Sequence, residues 1–316
     1  LNPVEQNTDE LTVCKRVAKS DYAELFRKAW GEPSNCSNKI YGLDVTGDLK
    51  TYEVNYRRFM VALSAYQASW EVNSFSSKRD KALAKDTDGF PLDDFNNKQN
   101  RGHNLFYGKT ITLNPEGKPA RCFLCHGDNP AADKGEEPFQ LYADDAYHKI
   151  GVPLNLIIPG NPGPNLGLAG HTGDSAHLAN HKSPTLRNVD KRPWKGFTKA
   201  HSHNGWFKSL ESIVHFYNTA AMQEDLDAAF PSPNPLNAKL HNVCRCPPEI
   251  TTLEEVLAYD EDGCEGCWPA PESTNASAIP FIVGNLWFTS EEEAGIVAYL
   301  KTLTDTEKVD SPKPYK

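Results

Sequence analysis

Residues 122–126 read Cys-Phe-Leu-Cys-His, and this pentapeptide constrains the chain more than any other feature. Two thiols three positions apart, followed at once by an imidazole, form C-x-x-C-H, the attachment signal for c-type haem. The spacing lets Cys122 and Cys125 reach the two vinyl groups of a porphyrin as thioethers. His126 then falls under the iron as its proximal ligand, so covalent and axial bonds come from one short segment. The competing reading is a redox or zinc C-x-x-C that merely precedes a histidine. No second cysteine pair at zinc-finger spacing supports it. The pentapeptide therefore predicts one covalently bound haem c.

The rest of the composition narrows what surrounds that haem. With 316 residues, 39% of them hydrophobic and 24% charged, the chain has the make-up of a soluble globular protein with one large core or two smaller ones. No apolar run approaches the roughly 20 residues a membrane span requires. A net charge of −9 with no basic cluster argues against a nucleic-acid partner. An acidic surface suits docking to a basic electron donor, and it serves solubility equally well. No signal peptide opens the sequence, as expected of a mature form.

Six further cysteines point to an oxidising compartment, periplasmic or extracellular, in which three disulfides form. Cys14 with Cys36 is the simplest pairing. Cys244, Cys246, Cys264 and Cys267 allow three connectivities, and a zinc cluster of these four is the alternative. Trp268, not histidine, follows Cys264-Glu-Gly-Cys267, so no second haem signal stands there.

Helical signals dominate, and no convincing alternating strand stands out. Residues 22–30 and 56–70 predict amphipathic helices, the second with Phe59, Leu63 and Tyr66 on one face. Residues 71–98 are polar and charged and read as a connection. Residues 97–107 predict a helix carrying Gly102 and Phe106 into the haem motif. Residues 127–182, rich in Gly, Pro, Asn and Asp, read as a long loop wrapped around a cofactor. Residues 209–217 form another predicted helix. Ser290-Glu-Glu-Glu293 reads as a capping box opening the last one, with Ile296, Val297 and Leu300 on its buried face. A helix with a small residue before the haem and an apolar helix at the end are the crossing pair of a cytochrome c fold.

Three runs carry a family resemblance: Ser183-Pro-Thr-Leu-Arg-Asn-Val189, His203-Asn-Gly205, and Ser209-Leu-Glu-Ser-Ile-Val-His-Phe-Tyr-Asn218. With C-x-x-C-H upstream and the terminal helix downstream, the chain resembles the bacterial dihaem cytochrome c peroxidase/MauG family over roughly residues 95–303. The resemblance implies an all-α architecture: a helical remnant of the N-terminal, peroxidatic-type domain (1–95), a cytochrome c-like haem domain with long irregular loops (96–305), and a tail (306–316). The haem of this chain then belongs to the electron-transferring domain. The family's first C-x-x-C-H is missing, although Asn2-Pro3-Val4-Glu5 is similar to the segment whose glutamate sits over the peroxidatic haem. Glu5 is thus a conditional catalytic candidate, with a solvated terminal residue as the alternative. The second haem would lie on a separate or cleaved chain, or on a part that a fragment lacks, or would have been lost in evolution.

The resemblance also assigns a distal haem ligand, a methionine in typical members and a tyrosine in MauG-like ones. Here the position is Tyr217, with a packed core tyrosine as the alternative. A phenolate stabilises ferric iron and lowers the potential, whereas a thioether raises it. Met60 and Met222 lie away from that position, and His171, His177, His181, His201, His203 and His215 are rival ligands. His203 matches a family histidine near the domain interface. Arg187 is expected to pair with a haem propionate, which needs a bidentate cationic partner. The family's interdomain calcium implies main-chain oxygens of Thr198 and Ala200 as ligands here.

The function these features imply is a periplasmic peroxidase-type oxidoreductase. Its haem would pass electrons in hydrogen peroxide reduction or peroxide-driven oxidation. Its partner would be a small cytochrome, a copper protein or a protein substrate, with a haem-bearing partner chain or a homodimer as further expectations. A monohaem electron-transfer subunit without peroxidase activity is the alternative, and a binding module using haem only structurally is the third reading.

Overall fold

The structure, a computed structural model, describes residues 8–31, 35–38, 49–72, 74–86, 89–110, 112, 119–127, 140–158, 163–192, 194, 197, 199–220, 244–260, 266–273, 283–284 and 286–306. Glu5, Thr198, Met222 and Cys264 lie outside these residues, as does all but the first residue of the expected tail. Among the described residues the regular elements are α-helices, apart from a 3₁₀ turn (Ser175–His177) and four two-residue strands, and long irregular loops join them. No described helix is long and apolar enough to cross a membrane.

The chain divides into two compact units, one within residues 1–75 and the other spanning Ser76–Thr306. The second unit starts earlier than the boundary expected at residue 95. In the first unit, α1 (Glu10–Lys19) is capped by Asp9, whose carboxylate accepts from the Thr12 amide at 2.7 Å. α2 (Ala23–Trp30) ends at Gly31, whose φ of 76° closes the last turn as only glycine does without strain. α3 runs Thr51–Gln67, five residues ahead of the expected start, because the Lys50 amide bonds the Glu53 carboxylate. Its expected apolar face is not a core face: Leu63 and Tyr66 are 41% and 55% exposed. A disulfide joins Cys14 on α1 to Cys36, the simplest of the expected pairings.

The second unit is organised on the crossing of α5 (Asn97–Phe106) with α10 (Ser290–Lys301). Gly102 sets the approach. A Cβ there would stand 2.0 Å from the Gly295 carbonyl oxygen, so nothing larger than hydrogen fits. Leu105, Phe106, Tyr299, Leu300 and Leu303 bury themselves around the crossing, each contributing about 1.5–3 kcal/mol of apolar transfer. α10 is capped one residue earlier than the sequence suggests. Thr289 accepts from the Glu292 amide and Glu292 bonds back to the Thr289 amide at 2.9 Å, which leaves Ser290 inside the first turn.

The stretch expected to be a mere connection contains α4 (Lys78–Lys85), opened by a Ser77–Asp80 capping box. Its buried residues are Arg79, Asp80 and Ala82, so a polar face, not an apolar stripe, turns inward. α8 (Leu210–Thr219), capped by Ser209, separates two cores. Leu210 and Val214 join the cluster around the crossing, while Phe216 joins a second one with Trp206, Phe207 and Trp268. The short helices α6 (Phe123–His126), α7 (Ala169–Thr172) and α9 (Leu253–Ala258) sit in the loops. β1 (Tyr147–His148) pairs antiparallel with β2 (His181–Lys182), placing His148 opposite His181. β3 (Cys244–Arg245) runs parallel to β4 (Cys267–Trp268). A disulfide joins Cys246 to Cys267, which removes the two remaining connectivities and rules out a four-thiolate zinc cluster.

Candidate haem site

One cavity of about 490 Å³, within the usual range for cofactor sites, gathers most of the residues singled out in the sequence. Cys122, Cys125 and His126 of the C-x-x-C-H segment line it. α8 contributes Leu210, Ile213, Val214 and Tyr217, and the crossing pair contributes Phe106, Ile296 and Leu300. Arg187, His201, His203 and Ala200 complete the set from the loops.

Cys122, Cys125, His126 and Tyr217 carry the mark of a dry environment. Cys122 and Cys125 are both free thiols. Burial pushes the Cys122 thiol up to about 12, with the neighbouring Cys125 adding to it. Burial, then Asp144, pushes Cys125 up to about 11. Burial also lowers the pKa of His126, which keeps its imidazole neutral at pH 7. His126 Nδ1 lies 3.1 Å from the Tyr142 carbonyl oxygen. Because a carbonyl only accepts, Nδ1 must carry the proton, and the lone pair rests on Nε2. Tyr142 holds this carbonyl with a left-handed φ of 61° while its side chain is fully buried. Ser183 Oγ donates to the Cys125 carbonyl at 2.6 Å and fixes the end of α6. Burial, then the two cysteines, raises the Tyr217 phenol well above its ordinary value.

These features fit a haem c. Two free thiols, a neutral imidazole with a preset tautomer and an apolar wall for the macrocycle meet in one cavity of suitable size. Arg187, at the cavity wall, is also held from within the chain. Its Nη1 and Nη2 donate to both oxygens of Asp80 at 2.9 and 2.8 Å, and its Nε donates to the Gln140 carbonyl at 2.6 Å. A carboxylate of the chain itself thus engages both of its terminal nitrogens. Asp80 was invisible to sequence reasoning, since it pairs across 107 positions from a segment without a motif. Burial alone would raise its pKa, but Arg187, Ser77 and Arg79 hold it below the ordinary carboxylate range.

Two histidines of the cavity wall stand out. His201 is buried, and its Nε2 has no hydrogen-bond partner. His203 Nε2 is hydrogen-bonded to Glu272, a residue for which the sequence held no signal.

No protein-family model matches the chain. The methylamine utilization protein MauG of Paracoccus denitrificans (strain Pd 1222) is 27% identical over 251 residues, which cover 77% of this chain. Over that stretch the chain is similar to MauG. It spans 50% of the length of that curated relative. Among solved structures, the crystal structure of a MauG-like protein associated with microbial copper homeostasis superposes with a TM-score of 0.46 at 19% identity. That match covers 94% of this chain and 61% of the other.

Proposed function

We propose that this chain is a c-type haem redox protein of the dihaem peroxidase class, working in an oxidising compartment such as the periplasm. The convergence of Cys122, Cys125, His126 and Tyr217 on one apolar cavity carries the reading. When bound, haem c supplies a one-electron iron couple whose potential follows its axial ligands and their surroundings. The chain does the rest. Cys122 and Cys125 fix the macrocycle, and His126 presents Nε2 while the Tyr142 carbonyl holds its other proton. Tyr217, from α8, would be the distal ligand when haem is bound. The walls from α5, α8 and α10 exclude water, which raises the weight of every charge inside.

In this reading the chain passes electrons in peroxide reduction or peroxide-driven oxidation, with a small cytochrome, a copper protein or a protein substrate as the other partner. Glu5 moves protons only where a second haem, on a partner chain or a further segment, stands beside it. Calcium, where bound, would be held by the main-chain oxygens of Thr198 and Ala200. His203 lines the electron path. A monohaem electron-transfer subunit is the second reading, favoured by the single C-x-x-C-H.

The deciding experiment is a haem count by pyridine haemochrome with denaturing intact mass, followed by stopped-flow mixing of reduced protein with peroxide. Rapid oxidation by peroxide supports the peroxidase class. One haem per chain with no peroxide reaction, under conditions where a small electron carrier reoxidises it, establishes the electron-transfer subunit instead.

A further inference from the structure

Three segments bring His181, His203 and Glu272 together on the wall of the haem cavity, in a set that haem attachment and axial ligation by Cys122, Cys125, His126 and Tyr217 do not use. One ring nitrogen of each histidine and one carboxylate oxygen all lie within 4.8 Å of one another. The imidazoles of His181 and His203 stack with centroids 3.6 Å apart and planes 8° from parallel. His203 Nε2 is hydrogen-bonded to Glu272 Oε1. His181 Nε2 is buried and has no hydrogen-bond partner.

The scaffold behind these groups is built to hold them. His181 is fixed by β2 against β1. His203 sits in the turn closed by the His201–Phe207 bridge. The Glu272 amide donates to the Val152 carbonyl at 2.9 Å. Asn204 Nδ2 reaches Glu272 Oε2 at 3.3 Å and donates to the Pro153 carbonyl at 2.8 Å, so the carboxylate is oriented by a residue that is itself anchored. The Glu272 side chain is only 5% exposed.

A buried imidazole nitrogen with nothing to bond, beside a buried carboxylate, is an expensive arrangement unless a cation answers both. We propose that His181, His203 and Glu272 form a divalent transition-metal site, distinct from the haem iron. The cation takes the place of the proton between His203 and Glu272 and draws in the free nitrogen of His181. Two imidazoles with one carboxylate favour zinc, copper(II) and their neighbours over calcium or magnesium, which prefer oxygen alone. Donors sharing a tetrahedral ion at about 2.0–2.1 Å stand roughly 3.4 Å apart, so side-chain rotation of about an ångström closes the set. Three protein ligands leave one position for water or an incoming ligand. Asn204 is a positioning residue of the kind that orients a ligating carboxylate.

The test uses the haem-loaded full chain, treated with EDTA, desalted, exposed to Zn²⁺ or Ca²⁺, and desalted again before metal analysis. About one retained zinc per chain and no calcium at this site is expected, with zinc affinity read by calorimetry. E272Q and H181A lose the retained zinc, N204A weakens its binding about 10–100-fold, and H177A on an exposed turn changes nothing. Soret and far-UV spectra verify that each variant is folded, and E272Q alone decides if H181A is not. No retained zinc in the parent protein, or a full equivalent in folded E272Q, overturns the proposal.

Discussion

Replacing Asp80 with asparagine is the sharpest perturbation of the haem unit's frame. Asp80 accepts both terminal nitrogens of Arg187, a Ser77 hydroxyl at 2.6 Å and the Ser77 amide at 3.1 Å. Arg79 Nη1 lies 3.8 Å from its Oδ1. The side chains of Asp80 and Arg187 are 6% and 5% exposed, so solvent screens the pair little. Breaking a buried pair by removing one partner costs about 3–5 kcal/mol, because the remaining charge stays buried. Asparagine keeps the shape and one acceptor, which places Asp80→Asn near about 3 kcal/mol. Asp80→Ala also removes the capping box of α4 and adds about 1 kcal/mol. Arg187→Met costs a similar amount from the other side. The double variant Asp80→Asn/Arg187→Met should lose less than the sum, with a coupling of about 2 kcal/mol. Urea unfolding of the haem-loaded protein, followed by far-UV dichroism and the Soret band, measures all four. A loss below about 1 kcal/mol for Asp80→Asn, or strict additivity in the double variant, refutes the pairing as a stabilising element.

At the helix crossing the two glycines should answer oppositely. Gly102→Ala pushes a Cβ to 2.0 Å from a backbone oxygen that cannot yield, and should cost about 2 kcal/mol after its helix-propensity gain. The nearest atoms to a Cβ on Gly295 are 3.6 Å away, so Gly295→Ala should gain about 0.5–1 kcal/mol; thermal unfolding reads both. Tyr217→Phe should raise the haem potential and alter the ferric electron paramagnetic resonance spectrum, while His201→Ala leaves both unchanged; the reverse pattern makes His201 the distal ligand. Asp80 also sets an acid limit. Its folded pKa lies below the ordinary 3.8, so its contribution is complete above that value and lost as pH falls through the lowered one. Unfolding free energy measured against pH should show this acid slope in the parent protein and not in Asp80→Asn.

What the sequence made legible was contiguous or periodic. C-x-x-C-H is contiguous because thioether and axial chemistry must share one turn of chain. The helices α5, α8 and α10 announce themselves by caps and apolar spacing, although Thr289 and Glu292, not Ser290 and Glu293, make the cap of α10. α4 stayed hidden because it buries Arg79 and Asp80, and a buried polar face looks like a solvated one without its partners. Arg187 was recognised as a cation needing a bidentate acceptor, and the Asp80 carboxylate that meets it lies 107 positions away, where no motif marks it. Tyr142 contributes a backbone carbonyl, which leaves no trace in residue identity. Glu272 reaches its histidines through the Val152–Pro153 segment, a tertiary placement that spacing cannot encode.

The two disulfides among the described residues close loops of 22 and 21 positions, each inside its own unit. Such short rings bear on the order of oxidation as a chain emerges from its N-terminus. Cys14 and Cys36 can be joined before residue 122 appears, and Cys244, Cys246, Cys264 and Cys267 all follow residue 125. While the haem pentapeptide is being delivered, its two sulfurs are then the only unpaired ones between the closed ring behind and the cysteines still to come. Local bridging thereby gives the porphyrin an interval in which neither vinyl-directed thiol has a wrong partner to find.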